Sequence, residues 1–239
     1  MARRLRHGGA GRSLGRLMSQ YKFVWGCYWS LAIGLAVIAF VAALRVVGPG
    51  INIYQAQEIQ RLGAIEREWV ALDTLPDHIA LSAIAAEDAK FCQHWGFDFV
   101  AIRAALEDGA RRGGSTISQQ TAKNVFLWQD RSWIRKGMEA GFTTLIEAMW
   151  GKRRIVEVYL NVAEFDTGVF GIEAAARHHF GIPAADLSRA QAARLMAVLP
   201  DPQGRSAVRP GPFTQRRTQQ IVRGANDLAA TGAGACAAG

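Results

Sequence analysis

The chain has 239 residues, half of them hydrophobic, enough for one domain of usual size plus a membrane anchor. Its net charge of +8 is not spread over the chain: seven basic residues (Arg3, Arg4, Arg6, Arg12, Arg16, Lys22 and Arg45) precede the first acid, Glu58. The remainder is nearly balanced, which removes most of the support for a nucleic-acid-binding surface. The three cysteines, Cys27, Cys92 and Cys236, form no CxxC and no zinc-type spacing, so they read as three unpaired thiols.

Residues 1–22 are basic and Gly-rich and read as a disordered cytoplasmic tail. Residues 23–44, FVWGCYWSLAIGLAVIAFVAAL, carry no charge. At ~1.5 Å per residue this run reaches about 33 Å, enough to cross a bilayer core. A cleaved signal peptide would have a shorter apolar region and a small-residue cleavage site, whereas Arg45 and Val-Val-Gly-Pro-Gly follow here. The basic flank places the N-terminus in the cytoplasm and the rest of the chain outside it. Residues 45–60 read as a linker and 61–228 as a mainly α domain. Residues 229–239 are a low-complexity Gly/Ala tail expected to be disordered.

Within the domain, Pro76 marks a helix start, with Ile79, Ala83, Ile84 and Ala86 on its apolar face. Ser115 or Thr116 caps a helix after Gly113-Gly114, and Ser132 caps a longer one with Met138, Phe142, Leu145, Ile146 and Met149 as its stripe. Helices over Lys152–Asn161 and over residues 186–199 follow, with a break near Gly151.

Four blocks carry chemistry. The first runs from Glu87-Asp88 through Phe91 and His94 to Asp98. Acids at a helix C-terminus oppose the macrodipole, and apolar neighbours add to the rise in carboxyl pKa. A raised pKa suits a general base; the bland alternative is a charged helix end entering a turn. The second block, Gly113 to Asn124, opens a helix after two glycines. Thr116, Gln120 and Lys123 then share one helical face, suited to a phosphate or diphosphate, or else form an ordinary polar face. The third is Arg135-Lys136-x-x-Glu139, whose i, i+4 pair reads more readily as a surface ion pair than as a held carboxylate. The fourth, around Tyr159-Leu-Asn161, is mostly packing. Asn161 there is more often a cap than a ligand, and Glu157 lies on the polar face.

In this order and spacing the blocks closely resemble the family 51 glycosyltransferases of bacterial cell-wall synthesis. The pattern Glu-Asp-x-x-Phe-x-x-His-x-Gly-x-Asp is matched from Glu87 to Asp98. Gly-Gly-Ser-Thr-Ile-[Thr/Ser]-Gln-Gln-x-x-Lys-Asn is matched from Gly113 to Asn124, and Arg-Lys-x-x-Glu from Arg135 to Glu139. The resemblance spans roughly residues 65–225, and the Trp69-Val-x-Leu-Asp73 run looks most like the monofunctional branch. Two positions depart: Asp166-Thr167-Gly168 stands where that branch usually has Gly-Asp-Gly, and Arg112 stands where Gln is common.

The resemblance implies a lysozyme-like glycosyltransferase domain behind a single transmembrane helix in the bacterial inner membrane, with the domain periplasmic. It implies polymerisation of lipid II and a growing lipid-linked strand, with Glu87 as base and Glu139 as second catalytic acid. Asp88, Phe91, His94, Asp98, Ser115, Thr116, Gln120, Lys123, Asn124, Arg135 and Lys136 are the implied substrate-binding residues. A divalent cation, Mg or Mn, is left open, as are division or elongation proteins as partners. The only Ser-x-x-Lys, Ser19 to Lys22, lies in the basic tail and Lys-Thr-Gly is missing, so no transpeptidase activity is expected. Phe126, Leu127, Trp128 and Trp133 are candidates for the membrane interface or for the core. The rivals are a lysozyme-like hydrolase, which needs no diphosphate site, and a non-enzymatic scaffold, in which Glu87 and Glu139 would be dispensable.

Overall fold

The computed structural model describes residues 10–107, 114–130 and 132–238. Residues 1–9 of the basic tail, and Arg112 and Gly113 of the second block, lie outside them. Two compact units divide at residue 43.

The first unit holds α1 (Ala10–Ala43). Its Tyr21–Ala43 portion has a mean hydropathy of 2.0, long and apolar enough to cross a membrane. Trp25, Tyr28 and Trp29 stack edge to face along it. The helix begins well before residue 23, so part of the segment read as disordered is helical. Arg, Leu, Met and Gln between residues 10 and 22 are good helix formers and extend the apolar run.

The second unit is mainly α. Its helices are α2 (Ile53–Leu62), α3 (Asp77–Glu87), α4 (Phe99–Glu107), α5 (Ile117–Phe126), α6 (Trp133–Met149), α7 (Lys152–Val162), α8 (Ile172–Phe180), α9 (Arg189–Val198) and α10 (Pro212–Thr231). A small sheet joins β1 (Glu66–Arg67), β2 (Glu164–Asp166) and β3 (Val169–Phe170), with β3 central, parallel to β1 and antiparallel to β2. α2 falls inside the stretch read as a linker. Asn52 and Gln55 form a reciprocal capping box at its start, an Asn-x-x-Gln signal that the Gly-Pro-Gly break overshadowed.

α3 is the axis of the core. Ile79, Ala80, Leu81, Ala83, Ile84 and Ala86 are all buried, so the helix is apolar nearly all round, as a central helix must be. α7, α9 and α10 pack on it. Ala85 faces Gly224 of α10 so closely that a Cβ there would approach to 3.2 Å. The α3 C-terminus, which carries Glu87, is thus held from several sides.

Two readings are corrected. Cys92 and Cys236 form a disulfide across 144 residues of sequence, leaving Cys27 as the free thiol. The Gly/Ala segment after residue 229 is also ordered: α10 runs to Thr231, and the following turns pack back on α3 and α10. Arg153 donates to the Ala237 carbonyl at 3.2 Å, and Ala237 is buried. Small residues here serve close approach; a Cβ on Gly234 would meet Leu81 at 2.2 Å.

Opening the Cys92–Cys236 bond should cost about 2–4 kcal/mol, the usual range for a bridge closing a long loop. A Cys236→Ser variant is therefore expected to unfold at a temperature lower by several degrees, and the parent should match it under reducing conditions. Thermal melts followed by circular dichroism check this.

Candidate active site

Glu87 is the last residue of α3 and is partly open to a hollow that Asp98, Ser115 and Thr116 also line. Gln120 donates to Glu87 Oε2 at 2.8 Å. Gln120 itself borders a second hollow with Tyr54, Lys123, Asn124, Tyr159 and Glu164. Glu87 thus lines one hollow and is hydrogen-bonded to a residue that borders the other. Burial pushes its carboxyl pKa up; the Gln120 hydrogen bond and the charge of Arg217 oppose this, and Asp88 adds to it. Arg217 of α10 donates to the Ala86 carbonyl beside it. Tyr159, fully buried, is raised well above its usual range, first by burial and then by the charge of Glu87, and so remains a neutral phenol.

Much of the first two blocks is occupied inside the protein. Asp88 is buried and accepts from His94 Nε2 at 2.9 Å and from the Ile117 N–H at 3.1 Å. Its carboxylate thus ties the first block to the start of α5, where the helix dipole favours a negative charge. Phe91 is a core residue with the Lys152 ammonium 4.3 Å from its ring centre. Asp98 accepts from the Val100 and Ala101 N–H groups at the start of α4. Thr116 caps α5 in a capping box with Gln119 and donates to the Gly96 carbonyl at 2.7 Å. Gly96 has φ of +82°, and a Cβ there would meet Thr143 at 2.8 Å, so both its conformation and its space require glycine. Ser115 stays exposed in the hollow beside Glu87.

The polar face of α5 divides accordingly. Gln120, Lys123 and Asn124 face the second hollow, whereas the Thr116 hydroxyl is turned to Gly96. The Lys123 ammonium has no hydrogen-bond or ion-pair partner among the described residues. Burial lowers its pKa, and Glu139 opposes this while Arg135 and Lys136 add to it, so all three charges lie near it.

The third block is not a surface ion pair. The Glu139 side chain is 3% exposed and accepts from Arg135 Nη1 at 2.8 Å and from the Lys136 ammonium. A buried carboxylate with two cations is held in one geometry, and removing either cation would leave it costly. Asn161 is buried inside α7 and its side chain is engaged within the protein. Its amide pairs with both backbone groups of Val70 at 2.8 Å. Glu157 pairs with Arg154.

Tyr54 and Glu147 lie outside the four blocks, and Glu164, at the end of the fourth, was given no role there. Tyr54 of α2 donates to Glu164 Oε2 at 2.6 Å, which raises its pKa along with burial. Glu164 also accepts from the Gly168 N–H at 3.1 Å. Glu147 is buried and accepts from Ser118 and, at 2.7 Å, from Lys152. Only the Asn52–Gln55 capping box, which would have placed Tyr54 on a helix, was readable beforehand.

A family model described as Transglycosylase matches residues 55–226, most of the chain. The chain is 50% identical over 236 residues to a biosynthetic peptidoglycan transglycosylase of Jannaschia sp. (strain CCS1), covering 99% of each. Proteins of the same name in Rhodospirillum centenum and Pseudomonas aeruginosa are 47% and 46% identical, over 85% and 88% of this chain and 90% and 91% of theirs. The chain belongs to this transglycosylase family. It is a glycosyltransferase of peptidoglycan synthesis.

A carboxyl whose pKa rises on folding binds its proton more tightly in the native state. Its contribution to stability is present below the ordinary carboxyl value of 4.5 and is lost as pH rises from there through the raised value. A Glu87→Gln variant, which cannot ionise, should thus melt at a higher temperature than the parent at pH 8. The difference should shrink as pH falls to 4.5 and below, which paired melts across pH measure.

Proposed function

We propose that the chain polymerises lipid II into β-1,4-linked glycan strands, with Glu87 as general base. The observation that carries this is a poorly solvated carboxylate of raised pKa that lines one hollow and is hydrogen-bonded to Gln120 of a second, which Lys123, unpartnered among the described residues, also borders. Glu87 takes the proton from the 4-hydroxyl of the acceptor N-acetylglucosamine. That oxygen attacks the anomeric carbon of the donor N-acetylmuramic acid, and undecaprenyl diphosphate departs with inversion. A diphosphate needs its charge neutralised more than it needs a proton, and Lys123, bordering the second hollow with the charge of Arg135 near it, can supply that. Glu139 orients Arg135 and Lys136. Ser115 and Asn124, open to the two hollows, contact substrate, whereas Asp88, Phe91, His94, Asp98 and Thr116 brace the loops that do.

The acids around the cleft do not form a cage for Mg or Mn. Glu139 is matched by two cations, Asp88 by His94 and an N–H, and Glu87 by Gln120. No step is therefore routed through a metal. α1 is read as a single-pass anchor with the basic N-terminus in the cytoplasm and the domain periplasmic. The Cys92–Cys236 bond supports this side, since disulfides persist in oxidising compartments. Trp133 and Ile134, 92% and 77% exposed, are suited to the lipid interface, while Leu127 is buried and Phe126 stacks on Phe142. Both substrates carry lipid tails, so tethering turns the search into a two-dimensional one. The sequence has no Lys-Thr-Gly, and its Ser-x-x-Lys at Ser19 to Lys22 lies in the basic segment, so the chain is read as making strands without crosslinking them.

Glu87→Gln, shown to be folded, should lose about 10²–10⁴-fold in polymerisation of lipid II. The parent's rate should rise with pH as Glu87 ionises, a limb missing in the variant. Near-normal turnover by the folded variant would remove Glu87 from this role. Lys123→Ala should lose about 10²–10³-fold. If it keeps its rate and the products are short fragments, the enzyme is a hydrolase instead.

A further inference from the structure

Away from the residues assigned to catalysis, the end of β2 and the last turn of α8 bring Asp166, His178 and His179 together. One ligand-type atom from each lies within 4.8 Å of the others. His179 Nε2 is buried and has no hydrogen-bond partner, and its side chain is 5% exposed. It faces Asp166 Oδ2 at 3.6 Å, too far for a hydrogen bond. A buried ring nitrogen left unmatched is costly, so this one calls for a partner. The Phe165 carbonyl also approaches this ring. Glu66 Oε1 lies 3.0 Å from His178 Nδ1, so a second carboxylate borders the group.

We propose that Asp166, His178 and His179 form a binding site for a zinc-class transition-metal ion, with Glu66 or water completing the coordination. Two ligands each about 2.0–2.1 Å from a tetrahedral ion stand about 3.4 Å apart. The Asp166–His179 gap of 3.6 Å is close to that spacing. His178, more than a third exposed and held by Glu66 at Nδ1, would have to shift to close the wider gaps on binding an ion. Two imidazoles with one carboxylate suit zinc, cobalt or nickel, whereas magnesium and calcium prefer all-oxygen sites. The ion would pin β2 to α8. Two residues earlier the same strand supplies Glu164, which holds Tyr54 at the edge of the cleft. The site is therefore a positioning device behind the cleft wall.

The test uses the full chain in detergent, stripped with a chelator and titrated with zinc chloride against a chromophoric zinc indicator. The metal retained after dialysis is counted separately. The parent should hold one zinc per chain with micromolar or tighter affinity and melt at a higher temperature when loaded. Millimolar magnesium should not compete. His179→Gln and Asp166→Asn should each weaken binding at least ten-fold and abolish the thermal shift. Should either fail to fold, His178→Gln on the exposed side gives the same comparison. A parent that retains no zinc, or a His179→Gln/Asp166→Asn double variant that binds as tightly as the parent, overturns the proposal and leaves Asp166 and His179 as an ordinary ion pair.

Discussion

The Asp88 carboxylate lies between an imidazole and the first N–H of a helix. It closes α3, starts the turn that carries His94, and fixes the origin of α5. Two elements that border the hollows, the end of α3 with Glu87 and the Gln120–Lys123 face of α5, take their relative position from this one buried group. Thr116 repeats the link a step further on by donating to the Gly96 carbonyl. Gly96 in turn rests on Thr143 and Glu147 of α6, the helix that carries Glu139. Glu87, Lys123 and Glu139 are therefore referenced to one another through two hydrogen-bonded links and one close packing contact.

That arrangement explains the electrostatics. Because α3 is buried on nearly all sides, Glu87 ends in a poorly solvated place and is reluctant to ionise. Arg135 and Lys136 are both engaged by Glu139, so of these three neighbouring cations Lys123 is the one without a partner among the described residues. One acid keeps its proton affinity and the other spends its charge on organising cations. Two glutamates of the same type thus acquire different tasks from their surroundings.

Much of this was legible beforehand. The helix ending at Glu87, the Thr116 and Ser132 caps and the apolar span are local patterns, and local patterns survive into the fold. The function followed from three motifs in sequence. What stayed hidden depends on pairs far apart in the chain: Tyr54 with Glu164, Asn161 with Val70, Cys92 with Cys236. Spacing also could not tell which motif residues face substrate and which brace the loops. Phe91, Asp98 and Thr116 keep the same spacing in either role. Arg135–Glu139 looked like a surface pair because helical periodicity does not say which neighbour will cover it.

The disulfide has a bearing on how the molecule is assembled. A polypeptide emerges from its N-terminal side, so Cys92 must wait unpaired while the next 144 residues are made. Cys27 is made before either, and a Cys27–Cys92 bond would be a wrong product available much sooner. Cys27 lies within the apolar stretch of α1. Lipid around that stretch would hide its thiol from the aqueous chemistry that joins cysteines. The same greasy segment that tethers the enzyme would then act as a protecting group, leaving Cys236 as the one partner Cys92 can reach.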